Sequence, residues 1–514
     1  MPDQPTGGAP WWQGATVYQV YPRSFADGNG DGVGDLTGLR RHLDHIADLG
    51  VDAVWMSPVF RSPMADNGYD VSDYCDIDPV FGNLATFDAL LDAAHRCGLR
   101  VLLDWVPNHT SVEHPWFVES RSSRRSPKRD WYYWRGGDRD TLPNNWRSNF
   151  GGPAWTWDDA TQQWYLHLFL AAQPDLNWNN PEVQDAMHAT LRFWLDRGVD
   201  GFRMDVIHLI GKDPALPDVP QRLVDRPMAG WYDDPRTHPL LRGISAVLAS
   251  YPGDRLSVGE VNLRDPRRLA SYYGDGDELD LVFTFRGMDL GWDAEGWSRL
   301  LDDVGSELPA QAWPAWVLGN HDEKRVLTRV GSLRRAEVLA VLSLTLRGTT
   351  FVYAGDELGL ADAEVPPDRR VDVVGRDGCR APIPWRSRPP YGWDAPPWLP
   401  FPPEPERHSA EAQAADKSST WQLYRAVLAA RRESSALRRG AITRRDAPAG
   451  VLTFQRRHGD DSRTVVVNFT DRPVDVMLDT PHVRLVDTSR APGGTAYDGV
   501  VAAESAVLLR PSQP

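Results

Sequence analysis

Cysteine is scarce in this sequence. Its three cysteines, Cys75, Cys97 and Cys379, are widely spaced, and none belongs to a CxxC pair. A disulfide framework needs paired cysteines, and a structural zinc site needs clustered ones. We therefore predict ordinary buried or reduced thiols, which excludes a disulfide-stabilised scaffold and a cysteine-bound zinc site.

Positive charge is also in short supply, since 56 lysines and arginines against 71 acidic residues give a net charge of −15. There is no basic stripe to suit nucleic acid or an anionic membrane. No apolar run has the length that spans a bilayer, and the segment 1–12 has no basic region followed by an apolar stretch. We expect a soluble cytoplasmic protein with a neutral or polar small-molecule substrate, no nucleic-acid or membrane partner, and an oligomeric state that the sequence leaves open.

What the sequence does contain is an alternation of apolar strand-like runs and longer helical stretches. The strand-like runs are 16–22, 51–58, 100–106, 199–206, 256–261, 279–285, 314–320 and 349–357. The predicted helices are 36–49, 84–97, 181–197, 240–250, 333–347 and 418–439. This α/β alternation with eight strands favours a closed (β/α)₈ TIM barrel, whose active site lies at the C-terminal ends of the strands. An open doubly wound sheet is the alternative, but no glycine-rich phosphate loop follows the first strand.

Two insertions and a change in the pattern of apolar runs divide the chain. The segment 110–175, after the third strand, is rich in Trp, Tyr, Asn and Arg and is predicted to be an inserted subdomain. A proline-dense stretch near 366–407 predicts a structured long loop. Beyond residue 440 short alternating runs predict a C-terminal antiparallel β-sandwich. We thus expect a catalytic barrel from 1–109 and 176–440, an inserted subdomain over 110–175, and a β domain over 441–514.

Polar side chains stand where several strand-like runs end. They are Asp104, Asn108 and His109 after the third run, Arg203 and Asp205 in the fourth, Glu260 in the fifth, and Asn320, His321 and Asp322 after the seventh. In a barrel these ends share one mouth, so the acids Asp205, Glu260 and Asp322 should converge there. Burying so many charges together is costly, and function is the usual reason.

Arg203 and Asp205 are two residues apart, so on a strand they face the same way, and the cation should keep the carboxylate ionised. A lone RxD is most often a strand-end salt bridge; the other strand ends favour chemistry instead. Two carboxyl groups flanking a bond are what glycoside hydrolysis needs, one to attack the anomeric carbon or activate water and one to protonate the leaving oxygen. Asp205 is the candidate nucleophile. Glu260, with no adjacent cation in sequence, is the candidate general acid, and Asp322 the group that stabilises the transition-state charge.

Four stretches resemble the motif regions of the α-amylase superfamily, glycoside hydrolase family 13. They are LLDWVPNHTS (102–111), DGFRMDV (200–206), VGEV (258–261) and GNHD (319–322). QPDLN (173–177) is similar to the marker of its oligo-1,6-glucosidase and α-glucosidase subfamily. The resemblance runs from Trp11 through the final β domain.

The resemblance implies a retaining, exo-acting α-glucosidase with a covalent glucosyl intermediate on Asp205, Glu260 as acid/base and Asp322 as transition-state stabiliser. It implies sugar-binding roles for Asp66, Tyr69, His109, Phe150, Phe169, Arg203, His321 and Arg380. Arg380 would pair with Asp66 and close the pocket beyond one glucose. The remaining aromatic residues of the insertion are predicted to form its core: Trp131, Tyr132, Trp134, Trp155 and Trp157.

The loop from Asp27 to Asp35 places oxygen-bearing side chains at alternate positions with glycines between them. It opens like an EF-hand, but Gly38 stands where the bidentate glutamate is expected, and a strand precedes the loop. In the resembling subfamily it matches a structural Ca²⁺ site, with side chains of Asp27, Asn29, Asp31 and Asp35 and the carbonyl of Val33 as ligands. Mg²⁺ is an alternative ion, and a solvated turn is the alternative to any metal site. No organic cofactor is expected.

Linkage preference is predicted from Val206, because valine at this position correlates with α-1,6 preference in the resembling subfamily and threonine with α-1,4. A methyl group in place of a hydroxyl changes what an acceptor sugar can hydrogen-bond, which gives the correlation a physical basis. His208 stands where that subfamily commonly has asparagine. The sequence leaves open an α-glucosyltransferase or a sucrose or trehalose isomerase on the same site. A catalytically inactive binding or transporter-chaperone subunit is a further alternative, but all three acids are present.

Overall fold

Eight parallel strands close into a barrel in the computed structural model, which describes residues 9–224, 232–309 and 311–512. The strands are β1 (Thr16–Val20), β2 (Ala53–Met56), β3 (Arg100–Trp105), β4 (Gly201–Met204), β5 (Leu256–Gly259), β6 (Leu281–Thr284), β7 (Trp313–Val317) and β8 (Thr349–Tyr353). Each pairs with its neighbours in sequence, and β8 pairs with β1. The predicted TIM barrel is therefore confirmed, and the open sheet is excluded.

The barrel interior is a packed core. Trp55, Phe283 and Phe351 fill its centre, and the Phe283 and Phe351 ring centroids lie 4.7 Å apart. Gly201 at the start of β4 is required by the close approach of β5, because a Cβ there would lie 2.3 Å from the Leu256 carbonyl oxygen. The polar side chains at the C-terminal ends of the strands lie directly above this core.

Helices surround the barrel and pack their apolar faces on the outside of the strands. The α-helices are Pro22–Phe25, Leu36–Arg41, Leu43–Leu49, Leu84–Arg96, Pro115–Ser122, Pro181–Asp196, Gln221–Val224, Thr237–Ala249, Pro266–Ser271, Arg286–Leu290, Ala294–Glu307, Val326–Val330, Leu333–Thr345, Ala410–Ala415, Thr420–Glu433 and Ser435–Arg439. Short 3-10 turns span Arg129–Trp131, Ile207–Leu209, Pro367–Arg369 and Asp377–Arg380. None of the helices within the described ranges is long and apolar enough to cross a membrane.

Two predicted helices are interrupted, and several shorter helices and one long one, Ala294–Glu307, were missed. The helix predicted over 36–49 breaks at His42, whose ring hydrogen-bonds the Gly38 carbonyl (2.9 Å). The helix predicted over 418–439 breaks at Ser434, which caps a second helix by accepting the Leu437 N–H. The unpredicted helix Ala294–Glu307 begins at Asp293, whose side chain accepts two backbone N–H groups. Local caps, which periodicity does not register, account for the two interruptions and the missed long helix.

The insertion after β3 carries a three-stranded antiparallel sheet made of Trp134–Arg135, Gln163–Leu166 and Trp155–Asp158. Trp131, Tyr132, Trp134 and Trp155 are buried, as predicted. Trp157 is half-buried and packs with Trp155 in a cluster that also contains Val206 and Leu209, whereas Trp131, Tyr132 and Trp134 belong to the main core. The aromatic side chains of the insertion therefore pack against the barrel as well as against one another.

The C-terminal region forms a five-stranded antiparallel sheet of β9 (Ala441–Arg445), β10 (Val451–His458), β11 (Asp461–Asn468), β12 (His482–Asp487) and β13 (Ser505–Pro511), in the order β9-β10-β11-β13-β12. A two-stranded sheet, Val474–Asp475 with Val500–Val501, packs on one face as the second layer. The other face contacts the helix Leu333–Thr345. The predicted barrel and C-terminal segments also include residues 1–8, 225–231, 310 and 513–514, which lie outside the described residues.

Candidate active site

The C-terminal ends of β3, β4 and β5 bring the first predicted residues together. Asp104 on β3 lies in register with Arg203 on β4. The ladder continues one residue beyond the strands, where the Asp205 N–H donates to the Trp105 carbonyl and the Glu260 N–H to the Met204 carbonyl, both at 2.9 Å. Asp205 and Glu260 thus leave their strands side by side at the barrel mouth.

Arg203 contacts all three surrounding carboxylates. Its Nη1 donates to Asp104 Oδ1 (2.8 Å) and Asp205 Oδ1 (2.7 Å), and its Nη2 donates to Glu260 Oε2. The expectation that Glu260 has no cation beside it is wrong, because β5 lies next to β4 in the barrel although the two residues are far apart in sequence. Glu260 also accepts from the Val206 N–H (3.2 Å) and the Asn262 amide (3.1 Å).

One guanidinium shared among three carboxylates leaves this cluster net negative. Burial raises the pKa of Asp205 well above its usual value; Arg203 opposes the rise, whereas Glu260, Asp104 and Asp322 add to it. Burial also raises the pKa of Asp104 to about 6, again against the pull of Arg203. Arg203 is thus the group that opposes the effect of burial on both aspartates and favours their ionised forms.

His321 and Tyr69 form a stacked pair beside this cluster, with ring centroids 5.5 Å apart and planes within 2°. Burial lowers the pKa of His321 to about 3, so its ring is neutral. The Gln19 amide lies 2.8 Å from Nδ1, which places the proton on Nε2, facing the Tyr69 hydroxyl at 2.6 Å. Tyr69 in turn donates to Asp104 Oδ2 (3.0 Å), so Tyr69 connects the β7 end to the β3 end.

Asp322 is held ionised by two arginines. Burial alone would raise its pKa, but His321, Arg376 and Arg380 outweigh burial and hold the pKa of Asp322 well below its usual range. His321 Nε2 lies 3.2 Å from Asp322 Oδ2, and Arg376 Nη1 (2.9 Å) and Arg380 Nη2 (3.1 Å) both contact Oδ1.

The partner of Asp66 differs from the prediction. Arg376 Nη2 donates to Asp66 Oδ1 at 2.7 Å, whereas Arg380 binds Asp322 and the His321 carbonyl (2.8 Å) and is fully buried. The expected Asp66–Arg380 pair is thus replaced by Asp66–Arg376. The physical reason is local, because residues 377–380 form a 3-10 turn that leaves Arg380 beneath Asp322 and Arg376 above it, beside Asp66.

His109 and Asp66 are tied to the insertion by Gln173, the first residue of the QPDLN stretch. The Gln173 amide lies 3.1 Å from both Asp66 Oδ2 and His109 Nε2. Burial lowers the pKa of His109 to about 4, so this ring is also neutral. Phe169 packs 5.1 Å from the His109 ring and 5.5 Å from Phe150, which gives one wall of the site an aromatic face.

These residues enclose a pocket of about 510 Å³. Nine of the predicted residues line it: Asp66, Tyr69, His109, Phe150, Phe169, Asp205, Val206, Glu260 and Asp322. Arg203, His321 and Arg380 stand behind this lining, each 2% exposed or less. The Asp66–Arg376 ion pair forms one part of the pocket wall. The lining also includes the apolar side chains of Leu209, Phe285 and Met288 and the charged side chains of Arg264, Asp289 and Glu323.

Residues 19–440 match the family model of the α-amylase catalytic domain. The chain belongs to the α-amylase family, glycoside hydrolase family 13. It is 42% identical to a probable α-glucosidase of Rhizobium meliloti (strain 1021) over 90% of both chains, and 36% identical to an oligo-1,6-glucosidase of Parageobacillus thermoglucosidasius over 93% of this chain and 92% of the other. The crystal structure of the α-glucosyl transfer enzyme XgtA superposes with a TM-score of 0.90 at 39% identity, covering 98% of this chain and 100% of that one.

Val206, which follows Asp205 in this α-amylase family site, adopts a left-handed backbone conformation (φ 35°, ψ 39°). Such a conformation is strained for a β-branched residue. It turns the chain directly after Asp205 and aims the Val206 N–H at Glu260. His208, two residues on, uses Nδ1 to donate to the Glu260 carbonyl (3.1 Å), and among the described residues its Nε2 has no hydrogen-bond partner.

The Asp27–Asp35 loop folds its oxygen atoms inward. Asp27 accepts the N–H groups of Asn29, Gly30 and Gly32, and Asp31 accepts the Val33 N–H (2.8 Å). Asp35 caps the helix Leu36–Arg41 by accepting the Gly38 N–H (2.7 Å). Within the described ranges no group of three or more His, Cys, Asp or Glu side chains is spaced to hold an ion. The donor chemistry nonetheless fits a hard cation, which would need Asn29 and a backbone carbonyl alongside the carboxylates.

Several functional neighbours were not among the predicted site residues. Asp104 was named only as a strand end, and its position opposite Arg203 follows from register rather than from sequence spacing. Gln173 lay within a quoted motif, but its contacts cross from the insertion to the barrel. Lys212 is buried and joins Asp175 (3.0 Å) to Asn108 (2.8 Å). No local pattern marks such residues, because their partners lie on other elements.

Proposed function

We propose that the protein is a retaining, exo-acting α-glucosidase that removes terminal α-linked glucose from short oligosaccharides. The observation that carries this proposal is a pocket closed at one end by the Asp66–Arg376 ion pair, with two carboxylates, Asp205 and Glu260, held on one guanidinium. A closed end limits the site to one terminal sugar. Two carboxylates sharing one arginine favour the close spacing of about 5 Å used in retention over the wider spacing of about 6.5–9.5 Å used in inversion.

In the proposed reaction Asp205 attacks the anomeric carbon while Glu260 gives its proton to the leaving oxygen. The glycosidic C–O bond breaks as the C–O bond to Asp205 forms, and the product alcohol leaves. Glu260, now a carboxylate, takes a proton from water, whose oxygen displaces Asp205 from the anomeric carbon. Each displacement inverts the anomeric centre, so the released glucose keeps the α configuration.

The surrounding residues receive supporting roles in this proposal. Asp322 binds hydroxyl groups of the distorted sugar and stabilises the oxocarbenium-like charge, for which its ionised state suits it. Neutral His109 lines the pocket and binds the sugar without adding positive charge that would oppose the transition state, and neutral His321 positions Tyr69 from behind the lining. Tyr69, Phe150 and Phe169 provide ring faces for the apolar side of the glucose.

For linkage we propose a preference for α-1,6 bonds over α-1,4 bonds. Val206 carries no hydroxyl beside the leaving group, and the similarity to an oligo-1,6-glucosidase supports the same preference. Glucosyl transfer is the second candidate function, favoured by the similarity to an α-glucosyl transfer enzyme. Transfer uses the same covalent intermediate, with an alcohol or sugar in place of water.

We further propose that the Asp27–Asp35 loop holds a structural Ca²⁺ ion through the side chains of Asp27, Asn29, Asp31 and Asp35 and the Val33 carbonyl. A cytoplasmic location is proposed because the three cysteines are unpaired, as is usual in a reducing compartment. Fractionation of cells that express the gene would check the location.

The decisive experiment is product analysis on isomaltose, maltose, sucrose and trehalose, with the anomer of the released glucose followed by NMR. The proposal expects rapid release of α-glucose, with isomaltose cleaved faster than maltose. Initial release of β-glucose would refute retention. The Asp205→Asn variant is the control and should show no turnover. Unchanged turnover in that variant would exclude Asp205 as the nucleophile.

A further inference from the structure

Gln19 places an amide side chain inside the apolar barrel. It lies on β1 and is 1% exposed. Val17, two residues earlier on the same strand, packs in the barrel interior with Trp55 and Phe351, so Gln19 faces the interior as well. An amide that is buried without hydrogen bonds costs folding free energy. Gln19 is therefore expected to have a specific partner there.

That partner is the ring of His321. Gln19 Nε2 lies 2.8 Å from His321 Nδ1 and 3.4 Å from Ser57 Oγ. Among the described residues the other end of the amide, Oε1, has no hydrogen-bond partner, so the amide nitrogen makes the contacts that hold this side chain. A neutral imidazole carries one N–H, and the group that faces Nδ1 therefore decides whether Nε2 can donate.

The other ring nitrogen of His321 faces two oxygen atoms that can accept a hydrogen bond. Nε2 lies 2.6 Å from the Tyr69 hydroxyl and 3.2 Å from Asp322 Oδ2. Tyr69 gives its own proton to Asp104 Oδ2 (3.0 Å), so its oxygen is free to accept from the ring. An ionised Asp322 can only accept. Nε2 therefore carries the proton, and Nδ1 needs a donor, which is the Gln19 amide.

The charges around the ring favour its neutral form. Burial lowers the pKa of His321 to about 3, and Asp322 opposes this effect. Three cations act in the same direction as burial: Arg203, Arg376 and Arg380. The rings packed around the imidazole are uncharged, since burial raises the hydroxyl pKa of the two tyrosines among them; they are Tyr21, Tyr69 and Trp55. A hydrogen-bond donor without charge is thus what Nδ1 requires.

We propose that Gln19 is a positioning residue for the reaction: its amide donates to His321 Nδ1 and holds the ring proton on Nε2, where it faces Tyr69 and Asp322. This inference rests on the proposed function. Tyr69 and Asp322 line the pocket and Gln19 does not, so Gln19 acts on the sugar only through these residues. A carboxylate at position 19 would instead accept a proton from Nδ1 and favour the imidazolium. The positive ring would then offset the charge of Asp322 that the oxocarbenium-like transition state needs.

The position of the ring proton can be read from ¹⁵N NMR spectra of protein labelled with [¹⁵N]histidine, because protonated and unprotonated ring nitrogens differ widely in chemical shift. The His321→Asn variant identifies the signals of His321 among those of the 13 histidines. Between about pH 5 and pH 8 the wild type should show one ring proton, on Nε2. A proton on Nδ1 would overturn the inference.

Two variants test whether Gln19 holds that proton in place. Gln19→Glu keeps the size of the side chain and should move the ionisation of His321 to about pH 6–8. The value of kcat/KM for isomaltose should then fall by about tenfold or more as the pH is lowered through the same value. The loss should appear in kcat rather than in KM, because Asp322 acts on the transition state. Gln19→Met removes the donor without adding charge, and it should give signals of both tautomers and lower kcat/KM by about 3- to 10-fold.

Gln413→Glu is the matched control. Gln413 is 7% exposed, hydrogen-bonds the Arg407 carbonyl and the Thr420 N–H, and does not line the pocket. This variant should leave the His321 signals and the pH profile of kcat/KM at their wild-type values.

Wild-type His321 signals and a wild-type pH profile in Gln19→Glu would overturn the inference. If Gln19→Glu does not fold, the wild-type tautomer and Gln19→Met decide, and a single Nε2–H tautomer in Gln19→Met contradicts a positioning role. The spectra need no substrate, which separates the two proposals: a wild type that turns over no glucoside contradicts the proposed function, whatever the position of the His321 proton.

Discussion

Asp66 should depend energetically on Arg376 and much less on Arg380. Arg376 Nη2 lies 2.7 Å from Asp66 Oδ1, and both side chains are largely buried, whereas Arg380 makes its hydrogen bonds to Asp322, Asp372 and the His321 carbonyl. A charge-assisted hydrogen bond between such groups is worth about 1.5–3 kcal/mol. Its loss should lower kcat/KM by about 10- to 150-fold if the pair shapes the closed end of the pocket.

A double-mutant cycle on kcat/KM for isomaltose measures this dependence. The cycle uses Asp66→Asn, Arg376→Lys and their combination, and a parallel cycle replaces Arg376→Lys by Arg380→Lys. The Asp66–Arg376 cycle should give a coupling of about 1.5 kcal/mol or more, and the Asp66–Arg380 cycle a value within about 0.5 kcal/mol of zero. Lysine keeps the positive charge, because removing one buried partner outright costs about 3–5 kcal/mol of stability. Equal couplings, or a larger one with Arg380, would refute the assignment.

Three further outcomes are expected. Val206→Thr should lower the isomaltose-to-maltose ratio of kcat/KM by about tenfold; an unchanged ratio would count against a linkage role for Val206. Burial lowers the pKa of His208 to about 3, below its unfolded value of about 6.5, so the neutral ring contributes stability above pH 6.5 that is lost as pH falls. In urea unfolding, the His208→Asn variant should therefore gain about 2 kcal/mol of stability relative to the wild type when the pH is lowered from 7.5 to 5. Parallel curves of stability against pH for the two proteins would contradict this. Chelation with EGTA should lower the Tm by about 2–8 °C through loss of bound Ca²⁺. The Asp31→Asn variant should show no such response to the chelator. An identical Tm of the wild type with and without chelator would argue for a solvated turn.

The barrel could be predicted because each of its strands is marked in the local sequence by a short run of apolar residues. All eight apolar runs contain a strand of the barrel, and Asp205 and Glu260 follow β4 and β5 directly. A run of buried residues that ends in a polar side chain can be recognised without information from elsewhere in the chain. The convergence of these acids then follows from barrel closure alone.

The contacts within the site could not be predicted in the same way. Glu260 meets Arg203 across two neighbouring strands, so adjacency in sequence does not reveal the cation beside it. Arg376 and Arg380 are four residues apart in one motif, and only the 3-10 turn between them decides which one reaches Asp66. Gln173, near the end of the insertion, contacts Asp66 and His109, which both precede the insertion in the chain. Register, turn type and domain packing are collective properties that single positions do not encode.

One buried carboxylate, Asp372, serves both arginines of the site. It accepts hydrogen bonds from Arg376 (2.6 Å) and Arg380 (3.3 Å), and these arginines bind Asp66 and Asp322. The segment 372–380 is therefore a single structural module, and a loop exchanged between related enzymes has to carry the aspartate and both arginines together. Grafts that keep these three residues and vary the positions between them are the conservative route to a changed pocket wall.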